Sequence, residues 1–179
     1  MMVDADVWIF GYGSLMWRPG FAYDERHIAT LRGYHRALCI YSHVHRGTPE
    51  RPGLVLGLDR GGSCRGVAFR VAAAAKAETL AYLRAREQVT GVYLEVNVPV
   101  VLIDGRRVEA IAYVVDRAHG QYAGHLADTA LLELVRQGSG QSGDNPDYIR
   151  ATHEHLVELG IEDRTLAWLA GRLDPEIAE

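Results

Sequence analysis

Cysteine is scarce in this chain: Cys39 and Cys64 are the only two in 179 residues, and they lie in different segments. Two scattered thiols provide no disulfide framework; they fit packed side chains in a reducing compartment. Lysine is nearly missing. Lys76 stands alone among 19 basic residues, the rest being arginines spread along the chain and outnumbered by 23 acids. A formal net charge of -4 with no basic cluster excludes the electrostatic footprint of a nucleic-acid binder. No apolar run approaches the ~20 residues that a membrane-spanning helix requires. The opening Met-Met-Val-Asp-Ala-Asp lacks the basic and apolar regions of a secretory peptide, so the expected location is the cytoplasm. Metal-ligand spacing is missing as well. His43 and His45 alternate at a possible strand end, and His153 and His155 stand two apart on an expected helix, which points their rings away from each other. No metal site is expected.

What remains is an ordinary globular composition, 48% hydrophobic and 23% charged, in a length that suits one domain over residues 1–179. The first half reads as strands at 7–10, 32–41, 54–58 and 65–71, separated by turn clusters at 46–53 and 60–63. Residues 73–89 change to a helical composition. Two β-branched runs, 93–103 and 108–115, then flank Asp104-Gly105 as a hairpin, with Pro99 expected at an edge or a bulge. Helices are expected at 124–137, 146–159 and 162–172, the middle one starting from Asn145 as N-cap with Pro146 at its first position. Strands first, one internal helix, a hairpin and then helices argue for an α+β fold with a mostly antiparallel sheet or a small barrel.

Two local features carry chemistry. In Phe10-Gly11-Tyr12-Gly13-Ser14-Leu15 a β-type run breaks into a loop with glycines at alternate positions and a hydroxyl between large apolar anchors. Glycine lets a ligand sit directly against peptide N–H groups, and several such groups converging make an anion-binding concavity. The same residues also read as a strand ending in an ordinary glycine turn. In the helix over 73–89, a period of about 100° per residue places Ala73, Ala77, Leu80, Leu83 and Glu87 within one face, with Glu78 opposite. A carboxylate on an apolar stripe must be paired, protonated or open to a cavity, and partial burial would make it a usable general base near neutrality. Periodicity leaves a second reading open, in which Glu87 sits on the last turn and reaches solvent.

Other patterns fail for want of context. Gly138-Ser-Gly140-Gln-Ser-Gly143 matches the dinucleotide fingerprint literally, but a helical segment precedes it where a strand is required. A loop bordering a site is the expectation there. Ser14 does not sit in a nucleophile elbow, so it is assigned as a hydrogen-bond donor.

Taken together, the segments resemble the ChaC-like branch of the γ-glutamylcyclotransferases. The resemblance rests on residues 10–15 with Trp17 and Phe21, on Gly33-Tyr34-x-Arg36, and on His45-Arg-Gly-Thr-Pro-Glu-Arg-Pro-Gly53. It continues through Cys64-Arg-Gly-Val-Ala-Phe-Arg70, Tyr82-Leu-x-x-Arg-Glu87 with Gly91 and Tyr93, and Gly140-x-x-Gly143-Asp-Asn145-x-x-Tyr148. It covers roughly residues 7–160 in order; after Arg86-Glu87 the chain has Gln88-Val-Thr-Gly91-Val-Tyr93, which looks like the bacterial form. The resemblance implies a cyclotransferase fold, a small mixed β-barrel with flanking helices. It also implies cofactor-free cleavage of γ-glutamyl amides, glutathione first among them, into 5-oxoproline and a free amine such as Cys-Gly. It assigns the loop Phe10, Gly11, Tyr12, Gly13, Ser14 and Leu15 to substrate binding and Glu87 to proton transfer; Tyr148, in the last matching segment, is a further candidate for substrate binding, with backbone donors or its hydroxyl as stabilisers of the oxyanion. A cyclotransferase for other γ-glutamyl amides, and a non-catalytic γ-glutamyl sensor, are the alternatives.

Overall fold

A computed structural model describes residues 5–87 and 91–173. Its elements are β1 (Val7–Gly11), a 3₁₀ turn (Ser14–Met16), β2 (Glu25–Ser42), β3 (Gly53–Val71), a second 3₁₀ turn (Ala73–Ala75) and α1 (Lys76–Glu87). There follow β4 (Tyr93–Leu102), β5 (Arg107–Val115), α2 (Asp128–Gln137), the short β6 (Ser139–Gly140) and β7 (Gly143–Asp144), α3 (Asn145–Glu158) and α4 (Arg164–Leu173). The strands close into a barrel in the order β1-β3-β2-β4-β5, and β6 pairs with β7 separately. The barrel is mixed because β1 runs antiparallel to β3 but parallel to β5, with Trp8 opposite Ala110 and Ile9 opposite Ile111. The α+β mixed barrel with flanking helices is therefore what the chain forms.

By contacts the described residues divide into two compact units, one of residues 5–37, 57–87 and 91–119, the other of residues 38–56 and 120–173. In the first, Ile9, Leu15, Val71, Leu80, Leu83 and Tyr113 form a buried cluster that joins β1, the turn after it, β3, α1 and β5. In the second, Leu131, Val135, Ile149, Leu156, Leu166 and Leu169 are the buried faces of α2, α3 and α4. Among the described residues no helix is long and apolar enough to cross a membrane. Cys39 and Cys64 are both buried, as two packed thiols should be.

Several expected boundaries move, each for a local reason. The turn expected at 60–63 is part of β3: Gly61 and Gly62 take φ of 98° and 68°, which bends the strand without ending it. The carbonyl of Gly61 is held by His35 Nδ1 at 2.9 Å, so the bent segment keeps a partner on β2. The 93–115 hairpin forms as expected, its turn closed by Gly105 N–H donating to the Leu102 carbonyl at 2.8 Å. Pro99 pairs with Glu109 of β5, whereas the β2 ladder ends at Leu31 opposite Val100, so proline sits where β4 has become an edge.

The helix expected at 124–137 begins only at Asp128, because Gly124 has a φ of 69° and Ala127 is extended. Asn145 is not the cap of α3. Asp144 takes that position, and Asn145, completely buried, uses its amide as a mock strand partner: Leu54 N–H donates to its Oδ1 at 2.8 Å and its Nδ2 donates to the Leu54 carbonyl at 2.9 Å. The rule for caps failed here because a buried backbone pair competed for the same side chain.

Candidate active site

The glycine loop of the first unit is anchored by what it buries. Phe10, Tyr12, Leu15 and Met16 are buried, whereas Ser14 is exposed and Gly13 intermediate. Gly11 is required by packing: a Cβ there would lie 2.9 Å from the Leu15 Cβ. The 3₁₀ turn uses the amides of Met16 and Arg18, bonded to the Gly13 carbonyl at 2.9 Å and to the Ser14 carbonyl at 2.7 Å. Amides at the start of such a turn have no partner within the turn itself, and of the residues there Ser14 is the exposed one. Arg36 fixes the base of the loop, donating from Nε to the Tyr12 carbonyl at 2.7 Å and from Nη2 to the Arg65 carbonyl at 2.6 Å.

α1 reaches the same loop. Its buried residues are Thr79, Leu80 and Leu83, and Leu80 and Leu83 pack in one cluster with Leu15. The expected stripe changes at its start: Ala77 is exposed, because Ala73–Ala75 wind as a 3₁₀ turn and the helical register begins only at Lys76. From Leu80 onward the period holds, and Glu87 is the next position along the stripe. The Glu87 side chain is 16% exposed, so it does not simply reach solvent from the last turn. Burial raises its pKa above the ordinary 4.5, while the adjacent Arg86, with Nε 3.7 Å from Oε1, opposes the rise.

The neighbouring Tyr113 on β5 is 1% exposed, and its hydroxyl donates to Glu95 Oε1 at 3.1 Å. Glu95 in turn accepts from Arg84 Nε at 3.0 Å. Burial first, then the charges of Glu95 and Glu87, hold the Tyr113 phenol far above its ordinary pKa of 10, so it stays protonated.

The loop and Glu87 are thus brought to one part of the first unit. Tyr148 belongs to the second unit, on α3, where its hydroxyl accepts from Leu56 N–H at 3.1 Å and Arg46 lies over its ring, 5.4 Å from the centroid. Arg36, Arg86 and Tyr113 were not singled out as site residues from sequence. Arg36 and Arg86 stand in the segments Gly33-Tyr34-x-Arg36 and Tyr82-Leu-x-x-Arg-Glu87 that carry the resemblance, but nothing there gave either a role. Gly138 and Gly140 have a packing cause: a Cβ on Gly138 would sit 2.8 Å from that of Asn145, and the backbone of Val44 and His45 crowds Gly140, whereas Gly143 is set by its φ of 113°. Among the described residues no three His, Cys, Asp or Glu side chains cluster as a metal ion would need.

A barrel with a glycine loop at the end of β1 and a half-buried glutamate on the following helix can be compared with known proteins. A family model described as ChaC-like protein matches residues 7–173, and the chain belongs to that family. It is 38% identical over 160 residues to the glutathione-specific gamma-glutamylcyclotransferase of Escherichia coli K12, covering 89% of this chain and 69% of the relative. It is 36% identical over 169 residues to the human glutathione-specific gamma-glutamylcyclotransferase 1, covering 86% and 76%. A crystal structure of a yeast γ-glutamyl cyclotransferase specific to glutathione superposes with a TM-score of 0.85 at 20% identity, over 98% of this chain and all of that one, so the fold is shared.

Proposed function

We propose that this protein is a glutathione-specific γ-glutamylcyclotransferase acting in the cytoplasm, with Glu87 as the group that moves the proton. The observation that carries the assignment of Glu87 is a carboxylate only 16% exposed, one position along the stripe that packs on the glycine loop. Family membership and the names of the relatives support the substrate.

The reaction needs no external nucleophile. The α-amine of the γ-glutamyl group attacks its own γ-carbonyl carbon, the new C–N bond closes a five-membered ring, and the bond to the cysteine nitrogen breaks. An α-amine with a pKa of about 8 is largely protonated at neutral pH, so a base must unmask its lone pair. Glu87, raised by burial, takes the proton that frees the lone pair; after the attack the ring nitrogen gives up a second proton, the departing nitrogen gains two, and Glu87 is the relay that leaves 5-oxoproline and the ammonium form of Cys-Gly. The residues 10–15 hold the substrate: the amides of Gly13, Ser14 and Leu15 clamp the α-carboxylate, which orients the amine toward the carbonyl. Fixing two reacting groups at attack distance is worth up to ~7–11 kcal/mol in favourable cases.

The test is turnover. Incubation with glutathione should release 5-oxoproline and Cys-Gly in equal amounts, and γ-glutamyl-alanine and γ-glutamyl-lysine should react far more slowly. Equal rates on all three would replace glutathione specificity with general γ-glutamyl amide cleavage. Calorimetric binding of glutathione with no product over hours would make the protein a sensor.

A further inference from the structure

Arg86 has more contacts than a residue on a helix surface needs. Its Nη2 donates to Ser14 Oγ at 2.9 Å, and its Nη1 donates to the carbonyls of Arg18 at 2.7 Å and Pro19 at 3.2 Å and to the Tyr82 hydroxyl at 3.1 Å. Its Nε faces Glu87 Oε1 at 3.7 Å. One guanidinium therefore touches the loop at three positions and the carboxylate beside it. Tyr82 is held in the same strap: it packs so closely over Gly20, whose φ is 76°, that no side chain fits there.

The chemistry of the Ser14 contact has a direction. A guanidinium has donors and no acceptor, so Ser14 Oγ must be the acceptor and its own hydrogen must point elsewhere. Ser14 is exposed, and its hydroxyl, with a cation on one lone pair, keeps its O–H hydrogen for donation to another acceptor. We propose that Arg86 is a positioning residue that couples the two halves of the site: it turns the Ser14 hydroxyl toward the substrate's α-carboxylate and sets a fixed positive charge against Glu87. The proposal rests on the reading of Glu87 as base.

Both jobs are measurable apart. The groups facing Glu87 are Arg86 on its own helix and Tyr113 on β5, the latter bonded to Glu95 on β4, which is itself paired with Arg84. Because Arg86 opposes the rise of the Glu87 pKa, its removal moves the acid limb of the kcat/KM profile to higher pH. Arg86→Met should raise KM for glutathione about tenfold or more and shift that limb upward. Arg86→Lys, which keeps the charge but not the fork, should hold the limb near its original place while KM stays raised. Ser14→Ala should raise KM and leave the limb where it is, and adding it to Arg86→Lys should raise KM little further.

An acid limb in Arg86→Met that coincides with that of the unsubstituted protein overturns the proposal, as does a KM unchanged in both Ser14→Ala and Arg86→Lys. If Arg86→Met does not fold, the lysine and alanine variants decide through their KM pattern. Failure of the underlying reading has a different signature: full activity in Glu87→Gln.

Discussion

Two loops in this molecule carry the same sequence signature, glycines at alternate positions beside a serine, and the fold uses them in opposite ways. In the first, Gly11 lets Leu15 fold back beneath the turn, and Gly13 and Ser14 stay accessible next to a helix that ends in a buried carboxylate. In the second, Gly138 and Gly140 are filled by backbone: the chain at 44–46 and the Cβ of Asn145 occupy the space that side chains would take. In the first loop Gly13 and Ser14 face outward beside the end of a helix; in the second, Gly138 and Gly140 lie against the protein's own backbone while Ser139, Gln141 and Ser142 stay exposed. Glycine in a motif thus states only that something approaches closely, and whether that something is a ligand or the protein's own backbone is decided by the neighbours.

The contrast predicts that substitutions at the first loop and its helix act on catalysis, and that substitutions around the second act on stability. The largest effect is expected from Glu87→Gln, which should lower kcat/KM by roughly 10²-fold or more, with circular dichroism unchanged. Asn145→Ala comes next. It leaves the buried Leu54 N–H and carbonyl without partners and should cost about 2–4 kcal/mol, read as a fall in Tm and in denaturant midpoint. Gly138→Ala should cost about 1–3 kcal/mol by overpacking, with KM for glutathione changed less than by Ser14→Ala. A Gly138→Ala protein that is fully stable would break the comparison, because its glycine would then have no packing cause.

The smallest effect is the pH dependence of stability that Glu87 imposes. Its folded pKa is raised, so the unfolded chain ionises it more readily, and the folded state loses stability as pH rises from the ordinary 4.5 up to the folded value. Glu87→Gln removes that loss. Its Tm should exceed that of the unsubstituted protein above this window and match it more closely at low pH.

Much of this was legible in the sequence, and the parts that were not share a cause. The hairpin at 93–115 and the misplaced Glu87 were readable because strand alternation and helical period are local properties. The 19-residue β3 was not, because Gly61 and Gly62 look like a turn until a neighbouring strand holds the bend in place. Asn145 carries a strong capping signal, yet its side chain is claimed by Leu54, 91 residues away in sequence. Arg86 is the most instructive omission: it stands in a segment that carries the resemblance, yet its contacts with Ser14, Arg18 and Pro19 exist only because the loop after β1 returns to the end of α1.

The central claim is that Glu87, half-buried at the end of the helix that packs on the glycine loop, is the base. Its titration can be followed directly by carbon NMR of the side-chain carboxyl, with Glu87→Gln to identify the signal. The expected result is a pKa above the ordinary 4.5 that coincides with the acid limb of kcat/KM for glutathione. A Glu87 carboxyl that titrates at or below the ordinary value, or one whose titration is unrelated to that limb, would contradict the account.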